Sequence, residues 1–513
     1  MSQTGKVWLT GAGPGSLELL TVKARRLLET GDCIVYDRLI GKEILSMLPA
    51  DKELIDVGKA AGHHAVPQSQ INRILVREAK LGKQVIRLKG GDPFLFGRGG
   101  EEIEALCAEG IPFEVVPGVS SAVAVPAYNG IPVTHRDYVS SVHIITGHRR
   151  AGENAKIDYD ALVRMNGTLV FLMGVGALKD IMDGLLSAGM DEAVPAAILQ
   201  QGTTAGQKRL TAAVGTLAEE AGKRQIKPPA VVVVGEVCSL ADQFAWHEKL
   251  PLSGERILVT RPLERGVRLQ EQLRELGAEV LTVPVIRTVP IADEARVQTI
   301  EKELTRLPAY QVLVFTSAYG VERFFEILLE MGLDVRSISH MRFAVIGKGT
   351  ADALRNRGIR ADYMPGQYDG ASLGRLLAES LADGTRILLA RSSIGAKELL
   401  EEIGRNRALS YTDLSIYDTI FAEEQEERLR SFMGDGKVSK VIFTSSSTVE
   451  GFCRLLGEFA YDTVRAVCIG RKTARAAKAA GMETVAARNA AVEELVRLCI
   501  GRGIEDGENG YDR

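Results

Sequence analysis

Short β-branched runs alternate with segments of helical period through the first half of the chain. Lys6–Thr10 and Cys33–Tyr36 read as strands, with Glu18–Glu29 as a helix between them and a long helical stretch at Gln68–Leu81. Further apolar runs predict strands at Val85–Leu88, Val142–Thr146, Thr168–Met173, Ala196–Gln200 and Ala230–Val234. This alternation predicts an α/β fold with largely parallel sheets, since a crossover helix returns the chain to begin the next strand in the same direction. The pattern breaks between Cys238 and Glu255, where Trp246, His247, Pro251 and Gly254 interrupt it, and it resumes with a strand at Arg256–Thr260. The chain therefore divides into a first domain at 1–245, a linker at 246–254, a second domain at 255–500 and a tail at 501–513.

The second domain repeats itself. RILVTRP at Arg256 returns as RILLARS at Arg386, VLVFTSAYGVERF at Val312 as KVIFTSSSTVEGF at Lys440, and AVIGKGTADAL at Ala344 as AVCIGRKTARAA at Ala466. Two similar α/β lobes with a cleft between them are expected. Each strand-to-helix junction offers hydroxyls and free N–H groups at a helix N-terminus, which suits an anion; taken singly, such residues are ordinary N-caps.

Composition narrows the picture. The 513 residues carry 63 Lys and Arg against 66 Asp and Glu, a formal charge of −3, without the basic surplus of a nucleic-acid binder. The six Cys are scattered with no C-x-x-C spacing, so neither zinc nor a disulfide framework is indicated. No leader pattern follows Met1 and no apolar run is long enough to cross a bilayer, which makes the cytoplasm the expected compartment.

Three strings in the first domain carry chemistry. TGAGPGS at Thr10, with Asp37 after the next strand, imitates a dinucleotide fingerprint and suggests an NAD-dependent oxidoreductase with a C-terminal ligand-sensing module. Ser16 stands where the third glycine would fall, and Pro14 removes an N–H that a pyrophosphate would want. RLKGGDPFLFGRGGEE, from Arg87, gathers five glycines around Asp92 just past a strand, a concentration that a tight turn alone does not require. VVPGVSSAVAVPAYNGIPVTHRDY, from Val115, adds small residues at Ser120 and Ser121 and a polar cluster at His135 and Arg136.

With YDRLI at Tyr36, GKAAGHHAVPQSQIN at Gly58, MG at Met173, QQGTT at Gln200 and PPAVVVVG at Pro228, these strings closely resemble the uroporphyrinogen III C-methyltransferases, almost unbroken from Val7 to Val237. The resemblance implies two α/β lobes with S-adenosylmethionine (SAM) in the cleft between them, no metal, and a homodimer. It implies cofactor contacts at Pro14, Gly90, Gly91, Asp92, Leu95, Ser120, Ser121, Met173, Gly202 and Ala230. It makes Asp37 the proton acceptor and Lys59 the donor. Arg38, His64, Arg98, His135 and Arg136 are candidate partners, with Lys59, for the carboxylates of the macrocycle. His63, where many relatives have Tyr, and Ser16-Leu17, in place of Asp-Pro, depart from the pattern.

From Arg256 to Val496 the chain resembles the uroporphyrinogen III synthases, through the bilobal repeat, VTRP, FTSSSTV, YDT at Tyr417 and IGRKTA at Ile469. That resemblance implies one lobe from 255–285 plus 420–500 and the other from 286–419. It points to Tyr417 and Thr473 as catalytic and to Thr444 and Ser446 as substrate contacts. The expected protein is a bifunctional tetrapyrrole enzyme supplying precorrin-2 toward siroheme or cobalamin.

Overall fold

The computed structural model describes residues 4–49, 52–58, 66–147, 157–261, 267–395, 397–406, 408–489 and 491–501. The chain forms two compact units, Met1–Val283 with Glu424–Arg513, and Pro284–Glu423.

In the larger unit the first sheet holds β1 (Lys6–Gly11), β2 (Cys33–Tyr36), β3 (Glu53–Asp56), β4 (Gln84–Lys89) and β5 (Phe113–Val116), in the order 3-2-4-1-5. Its strands are all parallel. Val7, Leu9, Ile34, Val35, Val85, Ile86 and Leu88 are buried, as expected of strands covered on both faces. The helix predicted to begin at Glu18 begins at Val22, because Thr21 Oγ1 accepts the Ala24 N–H at 3.2 Å and sets the cap there. Leu17–Leu19 forms a separate 3-10 turn.

The second sheet departs from the parallel expectation. Its strands β6 (Val142–Thr146), β7 (Thr168–Leu172), β8 (Pro195–Gln200), β9 (Lys208–Ala213) and β10 (Ala230–Val234) lie in the order 6-7-10-8-9, and among these pairs β6 and β7 alone run parallel. The β8–β9 connection is too short for a crossover, so the chain turns back as a hairpin.

Next come β11 (Arg256–Val259) and β12 (Glu279–Thr282). The smaller unit then supplies β13 (Ile286–Pro290), β14 (Val312–Phe315), β15 (Arg342–Val345), β16 (Arg386–Ser392) and β17 (Ser410–Phe421), in the order 13-17-16-14-15. Back in the larger unit, β18 (Lys440–Phe443), β19 (Arg465–Cys468) and β20 (Glu483–Ala486) join the earlier pair in a parallel sheet, 12-11-18-19-20. The repeated strings occupy equivalent places, β11-β18-β19 in one sheet and β16-β14-β15 in the other. The repeat thus encodes position in a sheet rather than order in the chain, since the first string of each copy sits beside the later strings of the other. Packing repeats as well: Phe315 meets Phe324 edge-on at 5.4 Å, and their counterparts Phe443 and Phe452 do so at 5.2 Å.

Among the described residues no helix is long and apolar enough to cross a membrane.

Candidate active sites

β1, β4 and β5 end in glycine-rich turns at one edge of the first sheet, the edge where open α/β sheets receive ligands. Gly13 and Gly91 exchange backbone hydrogen bonds of 3.2 and 2.7 Å. A Cβ on Gly118 would lie 2.2 Å from the Gly91 oxygen, so these turns pack backbone against backbone. Asp92 locks them together, Oδ1 accepting from the Phe94 and Leu95 amides at 2.8 and 3.1 Å and Oδ2 from the Gly118 amide at 3.1 Å. Ser120 Oγ caps the helix Ser121–Tyr128 through the Ala122 N–H. Gly91 has φ +68°, and a Cβ there would meet nothing nearer than the Ser121 nitrogen at 3.9 Å. An open space is therefore kept beside a helix N-terminus.

The second sheet brings Met173, Gly202 and Ala230 to one of its ends, because β10 runs antiparallel to both β7 and β8. Met173 has φ +56° and is half-exposed. Thr203 connects the two groups of loops, its Oγ1 accepting the Ser16 N–H at 3.3 Å, while Leu95 from the first group packs against the core of the second sheet. Pro14, Gly90, Gly91, Asp92, Ser120 and Ser121 thus lie on the turns and helix start of the first sheet, and Met173, Gly202 and Ala230 at one end of the second, the two groups of loops being joined by the Ser16–Thr203 bond.

Asp37 lies a quarter exposed after β2, Oδ1 accepting the Leu39 N–H at 3.0 Å and Oδ2 standing 3.6 Å from Arg87 Nη2. Behind it is a buried network the sequence reading missed: Glu102 Oε1 accepts from Arg87 Nε at 3.0 Å and from Lys89 Nζ at 2.9 Å. Burial pushes the Lys89 ammonium below its ordinary value, Arg87 adding to the effect. A signal was present, since two cations two residues apart on one strand share a face that the sheet buries. Glu102→Ala would leave both cations buried without their shared counter-ion, and urea unfolding should show a loss of about 3–5 kcal/mol.

Arg98 is bidentate to Glu101, at 2.8 and 2.7 Å. His135 Nδ1 accepts the Asp137 N–H at 3.2 Å, and its ring meets Tyr138 edge-on. Arg38 and Arg136 are exposed. Lys59 and His64 lie outside the described residues. Cys33, Glu53 and Glu78 come close enough to share an ion, yet Lys83 donates to both carboxylates and burial pushes the Cys33 thiol up to about 12. That cluster reads as a neutralised structural group.

In the smaller unit, Tyr417 is buried in β17, its hydroxyl 2.7 Å from Ser317 Oγ and its ring edge-on to Tyr319. Ser317 itself caps the helix Ala318–Glu330 by accepting the Gly320 N–H at 2.9 Å. In the larger unit, Thr444 directly follows β18 and Ser446 opens the helix Ser446–Leu456, which is capped by its neighbour Ser445. Thr473 is buried in the first turn of the helix Arg471–Ala479, and Thr350 is equally buried at the matching place in the other repeat.

These sheets define a two-part α/β protein, one part carrying the glycine-rich turns and the other built on repeated lobes. The tetrapyrrole (corrin/porphyrin) methylase family matches residues 6–218, and the uroporphyrinogen-III synthase HemD family matches 267–497. The chain is 42% identical over 508 residues to the porphyrin biosynthesis protein HemD of Ruminiclostridium josui, covering 99% of each. It is 51% identical to the S-adenosyl-L-methionine-dependent uroporphyrinogen III methyltransferase of Methanosarcina barkeri, over 46% of this chain and 94% of that one. It is also similar to the uroporphyrin-III C-methyl transferase of Thermus thermophilus complexed with S-adenyl homocysteine, at 40% identity over 46% of this chain and 99% of that one, with a TM-score of 0.40. The chain belongs to the HemD porphyrin-biosynthesis family in which a uroporphyrinogen-III C-methyltransferase domain is fused to a uroporphyrinogen-III synthase domain. The NAD reading finds no support in these matches.

Proposed function

We propose that the chain catalyses consecutive steps: it closes hydroxymethylbilane to uroporphyrinogen III, then methylates that product twice with SAM to precorrin-2, toward siroheme or cobalamin. The observation that supports the methyltransferase reading is the hydrogen bond from Ser16 N–H to Thr203 Oγ1, which joins the two loop clusters that carry the candidate cofactor residues. The assignment takes residues 1–245 as the methyltransferase, acting as a cytoplasmic homodimer without metal, 246–254 as linker and 255–500 as the synthase. The synthase lobes are 255–285 with 420–500, and 286–419.

Bound SAM supplies an electrophilic methyl. The chain's own residues have to hold an electron-rich pyrrole carbon in line with it, exclude water and take up the proton that is lost. Asp37 is the acceptor in this reading, and Lys59 its partner. The synthase must fold a linear tetrapyrrole around a reactive cation, so positioning dominates there too. Tyr417, held by Ser317, is the group assigned to the departing hydroxyl.

Supplying hydroxymethylbilane to the full chain, with and without SAM, tests both halves. The type III isomer should form without SAM, and two methyl masses should be added with it. Type I isomer alone, the product of spontaneous closure, sinks the synthase assignment, and absence of any mass gain sinks the other. Tyr417→Phe should slow type III formation about tenfold, a loss of one hydrogen bond in the transition state, and more than any single Lys or Arg substitution in the synthase half. A rate equal to wild type removes Tyr417 from the mechanism.

A further inference from the structure

β12 is an edge strand, so alternate N–H groups along it face away from β11 with no strand to receive them. The helix Lys42–Met47 of the methyltransferase closes that edge. Val280 N–H donates to Glu43 Oε1 at 3.4 Å and Thr282 N–H to Ser46 Oγ at 3.2 Å. Arg274 Nε, from the synthase helix Val267–Glu275, donates to the same Glu43 oxygen at 2.6 Å, with the Glu43 side chain buried and that of Arg274 mostly so.

The other oxygen of Glu43 faces the methyltransferase. Oε2 accepts the Leu17 N–H at 3.1 Å, and Leu17 directly follows the glycine-rich turn that ends at Ser16. Gly41, one residue before this helix, packs on the backbone of Gly15: a Cβ there would lie 2.3 Å from the Gly15 oxygen. Across the turn, Ala205 N–H donates at 3.0 Å to Glu279 Oε2, which Arg256 also holds at 3.1 Å. A cavity of about 140 Å3, lined by Ser16, Glu43, Tyr128, Thr203, Arg274 and Glu279, lies at this junction. The segment assigned as linker is packed too, Trp246 Nε1 donating to the Ala127 oxygen at 2.9 Å.

Glu43 is thus a buried carboxylate with one oxygen on each half of the protein. Burial pushes its carboxyl above the ordinary range and nearby Glu279 adds to that, while Arg274 and the Leu17 N–H oppose both, so removing Arg274 shifts the balance further toward the protonated form. A protonated carboxyl offers fewer acceptor positions to the Leu17 amide.

We infer that the synthase lobe is a positioning element for the methyltransferase cofactor site: Arg274 holds Glu43, and Glu43 holds the Leu17 end of the glycine-rich turn. This rests on the reading of that turn as part of the SAM cleft. Fusion then has a physical consequence beyond proximity, because cofactor affinity in the first half depends on a side chain of the second.

The test is calorimetry of S-adenosylhomocysteine on the full chain. Arg274→Gln should weaken binding about tenfold, and Arg274→Lys should recover most of the loss. Arg268→Gln, on the same helix but in an exposed pair with Glu493, should bind as wild type, and synthase turnover should be retained in all three. Wild-type affinity in Arg274→Gln overturns the inference, even if its melting temperature falls, since that outcome describes a merely structural ion pair. Should Arg274→Gln fail to fold, Glu43→Gln is read the same way: weaker binding supports the coupling and unchanged binding ends it. If wild type itself does not bind the ligand, the cofactor reading fails instead.

Discussion

Gly91→Val should abolish SAM binding while leaving the chain folded. The backbone at Gly91 holds φ +68°, a conformation that costs a β-branched residue about 1–3 kcal/mol, so some stability is lost. No clash adds to that cost, because a Cβ at this position has its nearest neighbour 3.9 Å away, at the Ser121 nitrogen. The new methyl groups would therefore fill the open space beside the helix N-terminus, which is where the cofactor is assigned. Affinity for S-adenosylhomocysteine should fall by more than about 100-fold, as direct competition for volume demands. Gly110 supplies the control. It has φ +66° and nothing within 4 Å of a Cβ, and it sits in a turn outside the cleft. Gly110→Val should carry a similar backbone strain with binding intact. If both variants bind equally well, the cofactor does not use the Gly91 face.

The sequence made β1, β2 and β4 legible because they are short apolar runs separated by segments of helical period. Short strands half in solvent, such as β3, with Glu53 and Asp56 exposed, gave no comparable signal. Strand direction in the second sheet was hidden as well, since periodicity reports which face is buried and says nothing of polarity. The glycine string around Asp92 announced a site through its composition, although the carboxylate turns out to bind three backbone amides of its own loops. A ligand role for Asp92 therefore has to come from whatever capacity its oxygens retain. Arg87 and Lys89 on a strand, and Glu102 in the first turn of a helix, were passed over because charged residues read as solvent-facing until the opposite layer is known. The Glu43–Arg274 pair lay further out of reach, since residues 231 positions apart meet only after two domains dock.

That buried network shapes what to expect of Asp37. Asp37→Asn should lower methyl-transfer turnover by about 100-fold or more, the span ordinarily lost with a general base, while affinity for S-adenosylhomocysteine stays within about threefold. The substitution is nearly isosteric, and the asparagine oxygen can still accept the Leu39 N–H that fixes the turn at 3.0 Å. It removes a negative charge 3.6 Å from Arg87 Nη2, but Arg87 keeps Glu102 as its closer partner, so the fold should tolerate the change. A base acts on the proton in the transition state and contributes little uniform binding, so the effect belongs in kcat rather than in KM for SAM. Equal losses in turnover and ligand affinity would make Asp37 a cofactor ligand or a structural residue. Unchanged turnover would move the acceptor role to another group.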